Sequence, residues 1–170
     1  LTIDLPLTTD FEYLKLILRL RAETTSEAYW HMVVRNNATG GYLTGSTDYK
    51  YIGQAAYLQT SGGLGGTGSI GDTNGITYIR WGNGFTGDGS EEEELFYLNV
   101  DIYNTVGTDR GPRFHGVRQA ENRSTDEWTY MEAGTTGIVM SNIQVDQIKF
   151  LKSDGAEFSN FGHTLYKVTR

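Results

Sequence analysis

The feature that most limits the fold of this chain is a run of leucines at every second position. In residues 11–22 the alternating apolar positions are Leu14, Leu16, Leu18 and Leu20, and most residues between them are polar or charged. A period of two is typical of a β-strand with one buried face, whereas a helix would scatter these leucines around its cylinder. The pattern returns in residues 94–103, where the alternating positions are Phe96, Leu98, Val100 and Ile102. Both segments are therefore predicted to be strands that contribute one face to a core.

Shorter strand patterns follow one another along the rest of the chain, separated by Gly, Asn and Asp turn signals. They cover residues 29–35, 52–60, 76–81, 113–122, 128–133, 143–151 and 161–169. The glycine-rich residues 61–71 are either a loop or a weak strand, and Asn74-Gly75 is a hairpin-type dipeptide. The predicted fold is all-β: an antiparallel, jelly-roll-like β-sandwich of about nine or ten short strands with no significant helix.

One strand is predicted to contain a β-bulge. Ile143 and Val145 share a face, but the next apolar pair, Ile148 and Phe150, is out of step with them. A single extra residue near 146–147 restores the alternation, and an extra residue in one strand of an antiparallel pair is what defines a bulge.

Two parts of the chain are distinguished. Residues 11–170 form a single β-sandwich domain, because no long linker divides them. Residues 1–10 are predicted to be an N-terminal arm. Its apolar residues alternate, so the arm could contact a neighbouring subunit by adding a strand to it; they are Leu1, Ile3, Leu5 and Leu7.

Composition narrows the functional classes. The formal charge is −7, and nucleic acids and anionic membranes both attract a basic face, so we predict no nucleic-acid partner and no membrane insertion. The chain has no cysteine, which excludes disulfides and thiolate ligands and suits folding in a reducing cytoplasm. The three histidines stand too far apart in sequence for a local metal pair. We therefore predict no catalytic residues, no metal site and no cofactor, and hence no enzyme.

Aromatic residues are the most informative side chains for function. Seven of them fall in loops or on the polar parity of a strand, namely Tyr42, Tyr49, Tyr51, Tyr97, Tyr103, Trp128 and Tyr130. Exposed aromatic rings can anchor a subunit interface or stack on a sugar ring, and aromatic residues also cover the ends of a sandwich core. All three roles stay open at this point.

Two segments together carry a family resemblance. The first runs through residues 11–21 and 30–36 to Gly41-Tyr42; the second comprises residues 143–150, Asp154-Gly155, Phe158, Gly162 and residues 164–168. This pattern resembles a diffuse group of β-sandwich domains in virion proteins of tailed bacteriophages. The match covers less than half of the chain, and His163 stands where that group more often has Ser or Thr.

The resemblance implies a role for the whole chain. It would be a non-enzymatic structural protein on the virion surface, made in the bacterial host cytoplasm. Capsid decoration (cement) proteins, head fibres and tail-appendage or tail-fibre domains are the closest types. The implied partners are other copies of the chain, as a homotrimer, and virion proteins such as a major capsid protein. The alternative function is a carbohydrate-binding module that recognises a host surface glycan.

Overall fold

The structure is a computed structural model that describes residues 1–22, 30–59, 64–72, 76–81, 94–106, 111–123, 128–152 and 160–169. Every regular element in these ranges is a β-strand, which confirms the all-β prediction. The described residues form eleven strands: β1 (Thr2–Asp4), β2 (Tyr13–Ala22), β3 (Trp30–Asn36), β4 (Tyr49–Gln59), β5 (Leu64–Asp72), β6 (Ile79–Arg80), β7 (Glu94–Tyr103), β8 (Arg113–Arg123), β9 (Trp128–Val139), β10 (Val145–Lys152) and β11 (Asn160–Val168). No helix long and apolar enough to cross a membrane occurs among them.

The strands form two antiparallel sheets that share one core. The small sheet has the order β1-β10-β3-β6, and the seven-stranded sheet has the order β11-β2-β7-β8-β9-β4-β5. Buried side chains of both sheets belong to a single apolar cluster, as expected for a β-sandwich. The jelly-roll description stays a prediction.

The structure has eleven described strands, whereas nine or ten were predicted. The difference comes from β1 and β6, which are only three and two residues long.

The two best sequence patterns become neighbouring central strands. β2 pairs with β7 in a register that places Leu16 opposite Val100 and Leu18 opposite Leu98. These four side chains are fully buried. Side chains directly opposite each other on one face of a sheet pack together, so the leucine alternation forms one wall of the core.

The predicted bulge is present in β10. The pairing of β10 with β3 shifts between Val145 and Gln147, which leaves Asp146 as the extra residue. Its carboxylate accepts two hydrogen bonds from Arg35, at 3.0 and 2.8 Å, and its carbonyl accepts one from the Leu5 amide at 2.8 Å. The bulge therefore ties β3 and the N-terminal segment to β10.

The segment predicted as an arm lies against its own domain in the structure. β1 pairs with β10, and the side chains of Ile3 and Leu5 are buried in the core, while Leu7 is exposed. The strand-like alternation is therefore real, and the strand that it pairs with belongs to the same chain. A contact between residues 1–10 and a neighbouring subunit stays a prediction.

The approach of β6 to the large sheet depends on two glycines. A Cβ atom on Gly137 would lie 2.6 Å from Cδ1 of Ile79, and one on Gly116 would lie 2.9 Å from Cζ3 of Trp81. Both distances are far below normal carbon contacts. The absence of these two side chains lets Ile79 and Trp81 fill the core between the sheets.

Several strand boundaries differ from the sequence prediction. β4 begins three residues before the predicted position, and β9 continues to Val139 instead of ending near residue 133. Of the two readings for residues 61–71 the structure has the strand, β5, whereas only Ile79–Arg80 of the predicted strand 76–81 is paired. Pairing with neighbouring strands, which a single segment does not reveal, decides each of these cases. The Asn74-Gly75 dipeptide lies outside the described residues.

Candidate interaction surface

The open surface of the seven-stranded sheet is the candidate functional site. Alternate residues of its strands point away from the small sheet, because their neighbours in sequence point into the core. We call this surface the outer face. Its described side chains are Tyr13, Lys15, Ile17, Arg19, Lys50, Ile52, Gln54, Tyr97, Asn99, Asp101, Tyr103, Arg113, His115, Val117, Gln119, Thr136, Ile138, Thr164, Tyr166 and Val168.

Strand register aligns these side chains in rows across the sheet. One row runs over six strands in the order Tyr166, Lys15, Asp101, His115, Thr136 and Ile52. Contacts form within the row. The Lys15 ammonium lies 3.8 Å from the Asp101 carboxylate, and Nδ1 of His115 lies 2.9 Å from Oγ1 of Thr136.

Aromatic side chains of the outer face also contact their neighbours. The rings of Tyr13 and Tyr103 have centroids 5.2 Å apart, and the Arg19 guanidinium carbon lies 5.6 Å from the centroid of the Tyr97 ring. The second distance is within the range of a cation–π interaction. Neighbour contacts of this kind limit the freedom of exposed rings, so a partner would lose less side-chain entropy on binding them.

Exposed apolar groups are concentrated on this face. Eight large apolar or aromatic side chains are exposed among the described residues, and six belong to the outer face: Ile17, Ile52, Tyr97, Tyr103, Ile138 and Tyr166. Ile52 is the most exposed of them, at 70%. Single exposed apolar residues are normal, but several on one surface mark an interaction site.

The described part of the outer face is basic although the chain is acidic. Its described cations are Lys15, Arg19, Lys50 and Arg113, and Asp101 is the one carboxylate among its described side chains. Four positive charges and one negative charge give these described side chains a net charge of +3, in a chain whose formal charge is −7.

Two of the predicted aromatic residues lie on the outer face. Tyr97 and Tyr103 stand on β7 with Asn99 and Asp101 between them, all with the same parity. Burial, followed by the nearby Asp101 carboxylate, raises the pKa of Tyr103. The exposure predicted for these two tyrosines is confirmed.

The expected exposure of Tyr49 and Tyr51 is wrong. Both point into the core from the start of β4, with 1% and 8% of their surface exposed. The Tyr49 hydroxyl accepts a hydrogen bond from the Val34 amide at 2.9 Å and donates one to the Leu43 carbonyl at 3.1 Å. Burial raises the pKa of Tyr49. Since β4 begins three residues before the predicted position, these tyrosines are strand residues of the core.

The other predicted aromatic residues lie elsewhere or are not described. Tyr42 is half-buried beside the small sheet, where its hydroxyl donates to Gln147 and Nζ of Lys149 lies 5.5 Å from its ring centroid. Trp128 and Tyr130 belong to β9, opposite Arg123 and Glu121 of β8, and their side chains lie outside what the structure describes.

Sequence reasoning did not select Tyr13, Tyr166 or the cations of the outer face. The exposure of Tyr13 could have been predicted, because Tyr13 directly precedes Leu14 and therefore lies on the same face of β2 as Lys15. The clustering of the cations could not be seen in the sequence, since they come from three strands, β2, β4 and β8, that are far apart along the chain. A surface built from distant segments becomes visible only once the strand order is known.

The histidines do not form a common site. His31 stacks on Tyr78 at 3.6 Å between centroids, His115 lies on the outer face, and His163 lies in β11. Within the described ranges no group of three or more His, Asp or Glu side chains could hold a metal ion.

Comparison with known proteins gave no match: no family model, no curated protein and no solved structure matches this chain. The resemblance to phage virion domains stays a prediction from the sequence.

Proposed function

We propose that this chain is a non-enzymatic structural protein of a tailed-phage virion, a capsid decoration protein or a fibre or tail-appendage domain. The observation that carries the proposal is the outer face, on which six of the eight exposed apolar side chains described are gathered. The motifs of the sequence support the virion context, and the sandwich fold agrees with it in kind.

The composition of the outer face suits contact with another protein. Protein interfaces are enriched in tyrosine and arginine, and their centres are apolar. The described side chains of the outer face include four tyrosines, three isoleucines and two arginines, and the other side of the same sheet packs into the core. A sheet supported in this way offers a firm surface, so binding would cost little rearrangement.

A structural role follows from such contacts when many copies act together. Each copy on a particle would make a modest contact. An oligomer, such as the predicted homotrimer, would make several contacts at once, and effective concentration then raises the overall affinity. The chain would in this way strengthen the surface to which it binds.

Particle association tests this proposal. A tagged copy, produced in the bacterial host during phage growth, is expected to co-sediment with virions in a density gradient. Ile52→Asp is expected to abolish co-sedimentation, because it places a charge at the most exposed apolar position of the outer face. Met140→Asp is the matched control, since Met140 is exposed but lies one residue beyond the end of β9. A wild-type chain absent from purified particles would contradict the proposal.

A carbohydrate-binding module is the second candidate, and one observation favours it. The outward residues of β7 are two tyrosines separated by Asn99 and Asp101, and polar groups beside aromatic rings suit sugar hydroxyls. A glycan array would test this function, with Tyr97→Ala expected to remove any binding. Wild-type protein that binds no glycan, or binding that survives Tyr97→Ala, would count against it.

A further inference from the structure

We infer that β11, at one edge of the large sheet, pairs with β11 of a second copy of this chain across a two-fold axis. The two seven-stranded sheets would then form one continuous sheet. This inference goes beyond the proposed function, because it concerns the edge of the sheet and needs no particle. Two observations carry it: the accessibility of that edge and the complementarity of β11 to itself.

β11 extends beyond the core of its own domain. Its inward-facing residues His163, Leu165 and Lys167 lie opposite leucines of β2 that are fully buried. On β11, however, His163 and Lys167 are exposed and Leu165 is half-buried. On the other face of the strand Tyr166 is 49% exposed. The core therefore ends at β2, and β11 is accessible from both sides of the sheet.

The outer edge of β11 is open among the described residues. Apart from its pairing with β2, its backbone has one hydrogen bond there, from the Glu12 amide to the Val168 carbonyl. Proteins commonly protect an edge with proline, charge, a bulge or a very short strand. β11 has nine residues, no proline and an unbroken register with β2. Its lysine, Lys167, stands near the end of the strand and is paired with Asp10 at 3.1 Å. Such an edge can accept another strand.

The sequence of β11 is complementary to itself in the antiparallel register that uses all nine residues. Thr164 would lie opposite Thr164 of the second copy, and Tyr166 opposite Gly162. A Cβ atom on Gly162 would meet nothing within 4 Å, so the space beside it can take the tyrosine ring. Threonine pairs and aromatic rings over glycine both stabilise neighbouring strands. Lys167 would lie opposite position 161, so the two lysines would not face each other.

Pairing of β11 with the other edge of the sheet, β5, is the competing arrangement. β5 has glycine at four of its nine positions, and its register with β4 is irregular. A contact between β11 and β5 would join copies head to tail, which produces rings or filaments, whereas the two-fold contact closes after two copies. A homotrimer would therefore require a different surface.

The two-fold contact would place both outer faces on the same side of the dimer. Residues directly opposite each other in an antiparallel pair point to the same side of a sheet. The outer faces of the two copies would therefore be continuous across the joined edges. A dimer of this kind would present two copies of the face to one surface and gain affinity through effective concentration.

Cross-linking is the first test, because the chain has no cysteine of its own. In Thr164→Cys the substituted residues of two copies would have Cα atoms about 4.5–5.5 Å apart, within the range of a disulfide. We expect mild oxidation of the dilute variant to produce a covalent dimer. Thr44→Cys is the control, since Thr44 is exposed in the connection between β3 and β4. Equal cross-linking of the two variants would overturn the inference.

Charge at the two-fold axis is the second test. Light scattering coupled to size exclusion should give the wild-type chain a mass of twice 18.9 kDa. Thr164→Lys and Thr164→Glu should each weaken the dimer about fivefold or more, because like charges would lie directly opposite each other. A mixture of the two variants should associate again, and Thr44→Lys should dimerise as the wild type does. Circular dichroism and a thermal melt would verify folding. Folded variants that do not associate when mixed would overturn the inference.

The outcomes also separate this inference from the proposed function. A wild-type chain that co-sediments with virions, but is monomeric up to about 0.1 mM, overturns the pairing and leaves the virion role standing. Assemblies larger than a dimer that persist in Thr164→Lys overturn it in favour of β5 as the partner strand. A dimer that depends on Thr164, formed by a chain absent from particles, supports the inference and contradicts the virion role.

Discussion

At the residue scale, the Tyr49 hydroxyl replaces a missing backbone hydrogen bond. The Leu43 amide donates a hydrogen bond to the Val34 carbonyl at 2.9 Å. The Val34 amide and the Leu43 carbonyl, in contrast, do not bond to each other directly. The tyrosine oxygen stands between the Val34 amide and the Leu43 carbonyl and bonds to both. One side chain of β4 thus joins two parts of the opposite layer.

Removal of this hydroxyl should destabilise the fold. Tyr49→Phe keeps the ring in the core but leaves a buried amide and a carbonyl without their partner, which costs about 1–3 kcal/mol. Chemical denaturation would measure the loss in free energy of unfolding. Tyr97→Phe, whose hydroxyl is on the open face, is the control and should change stability by less than about 0.5 kcal/mol. Equal effects of the two substitutions would contradict the bridging role.

His31 is a second residue whose environment has a measurable consequence. Its ring stacks on Tyr78 at an interplanar angle of 12°, and no described atom hydrogen bonds its buried Nε2. Burial, and secondarily the positive charge of Arg80, lowers the pKa of His31 from 6.5 to about 4. The folded state therefore favours the neutral imidazole.

The resulting pH dependence has a definite sign. At pH values above 6.5 His31 is neutral in both states, and its contribution to stability is fully present. As the pH falls from 6.5 toward 4 the unfolded chain binds a proton that the folded chain does not, so stability decreases. We expect a loss of about 1–2 kcal/mol, reduced by solvent screening because the ring is half-exposed. His31→Gln should make the stability curve flatter over this range, and parallel curves would refute the assignment.

At the element scale, β9 contains a matched pair of glycines. Gly137 faces the core under Ile79, whereas a Cβ atom on Gly134 would meet nothing within 4 Å. Gly137→Ala should cost about 1–3 kcal/mol, because Ile79 is fully buried and has little room to move. Gly134→Ala should be neutral or stabilising by up to about 1 kcal/mol, since alanine restricts the unfolded chain. Thermal melts of both variants would check this, and a cost at both positions would contradict close packing as the cause.

The N-terminal strand offers a similar comparison. Ile3 is 2% exposed and Leu7 is 42% exposed. Ile3→Ala should therefore cost about 2–4 kcal/mol, and Leu7→Ala less than about 1 kcal/mol. Denaturation in urea would measure both. If Ile3→Ala left the free energy of unfolding unchanged, the burial of Ile3 would not stabilise the domain, and residues 1–10 could act as an arm that leaves it.

Strands with one buried face could be predicted from sequence, and strands defined by their partners could not. β7 has the predicted bounds of residues 94–103, and the bulge near 146–147 follows from the broken alternation alone. β5 has glycine at four of its nine positions, so its strand character depends on pairing with β4 rather than on a side-chain pattern. The position of Tyr49 in the core likewise depends on where β4 begins.

At the scale of the whole molecule, the net charge conceals a basic surface. A formal charge of −7 argued against anionic partners, yet the described side chains of the outer face carry a net charge of +3. The cations of this face come from separate strands. That local charge could not be foreseen without the strand order. Average charge therefore describes solubility and long-range repulsion better than it describes a binding surface.

Ion-exchange chromatography should reveal this local basic surface. At neutral pH and low salt we expect the dilute protein to be retained on a cation exchanger despite its acidic composition. The double variant Arg19→Gln/Arg113→Gln should pass through, because it halves the number of described cations on the outer face. Lys149→Gln/Lys167→Gln removes the same charge from other surfaces and should still be retained. A wild-type chain that is not retained would contradict a local basic surface.

The sheet order also has a consequence for synthesis on the ribosome. β2 is translated well before β11, the strand that completes one of its two edges. Until residues 160–168 have left the exit tunnel, that edge presents unpaired amides and carbonyls, and exposed edges promote aggregation. A nascent chain interrupted before β11 would therefore be a substrate for chaperones or proteases, so incomplete copies would be removed soon after synthesis.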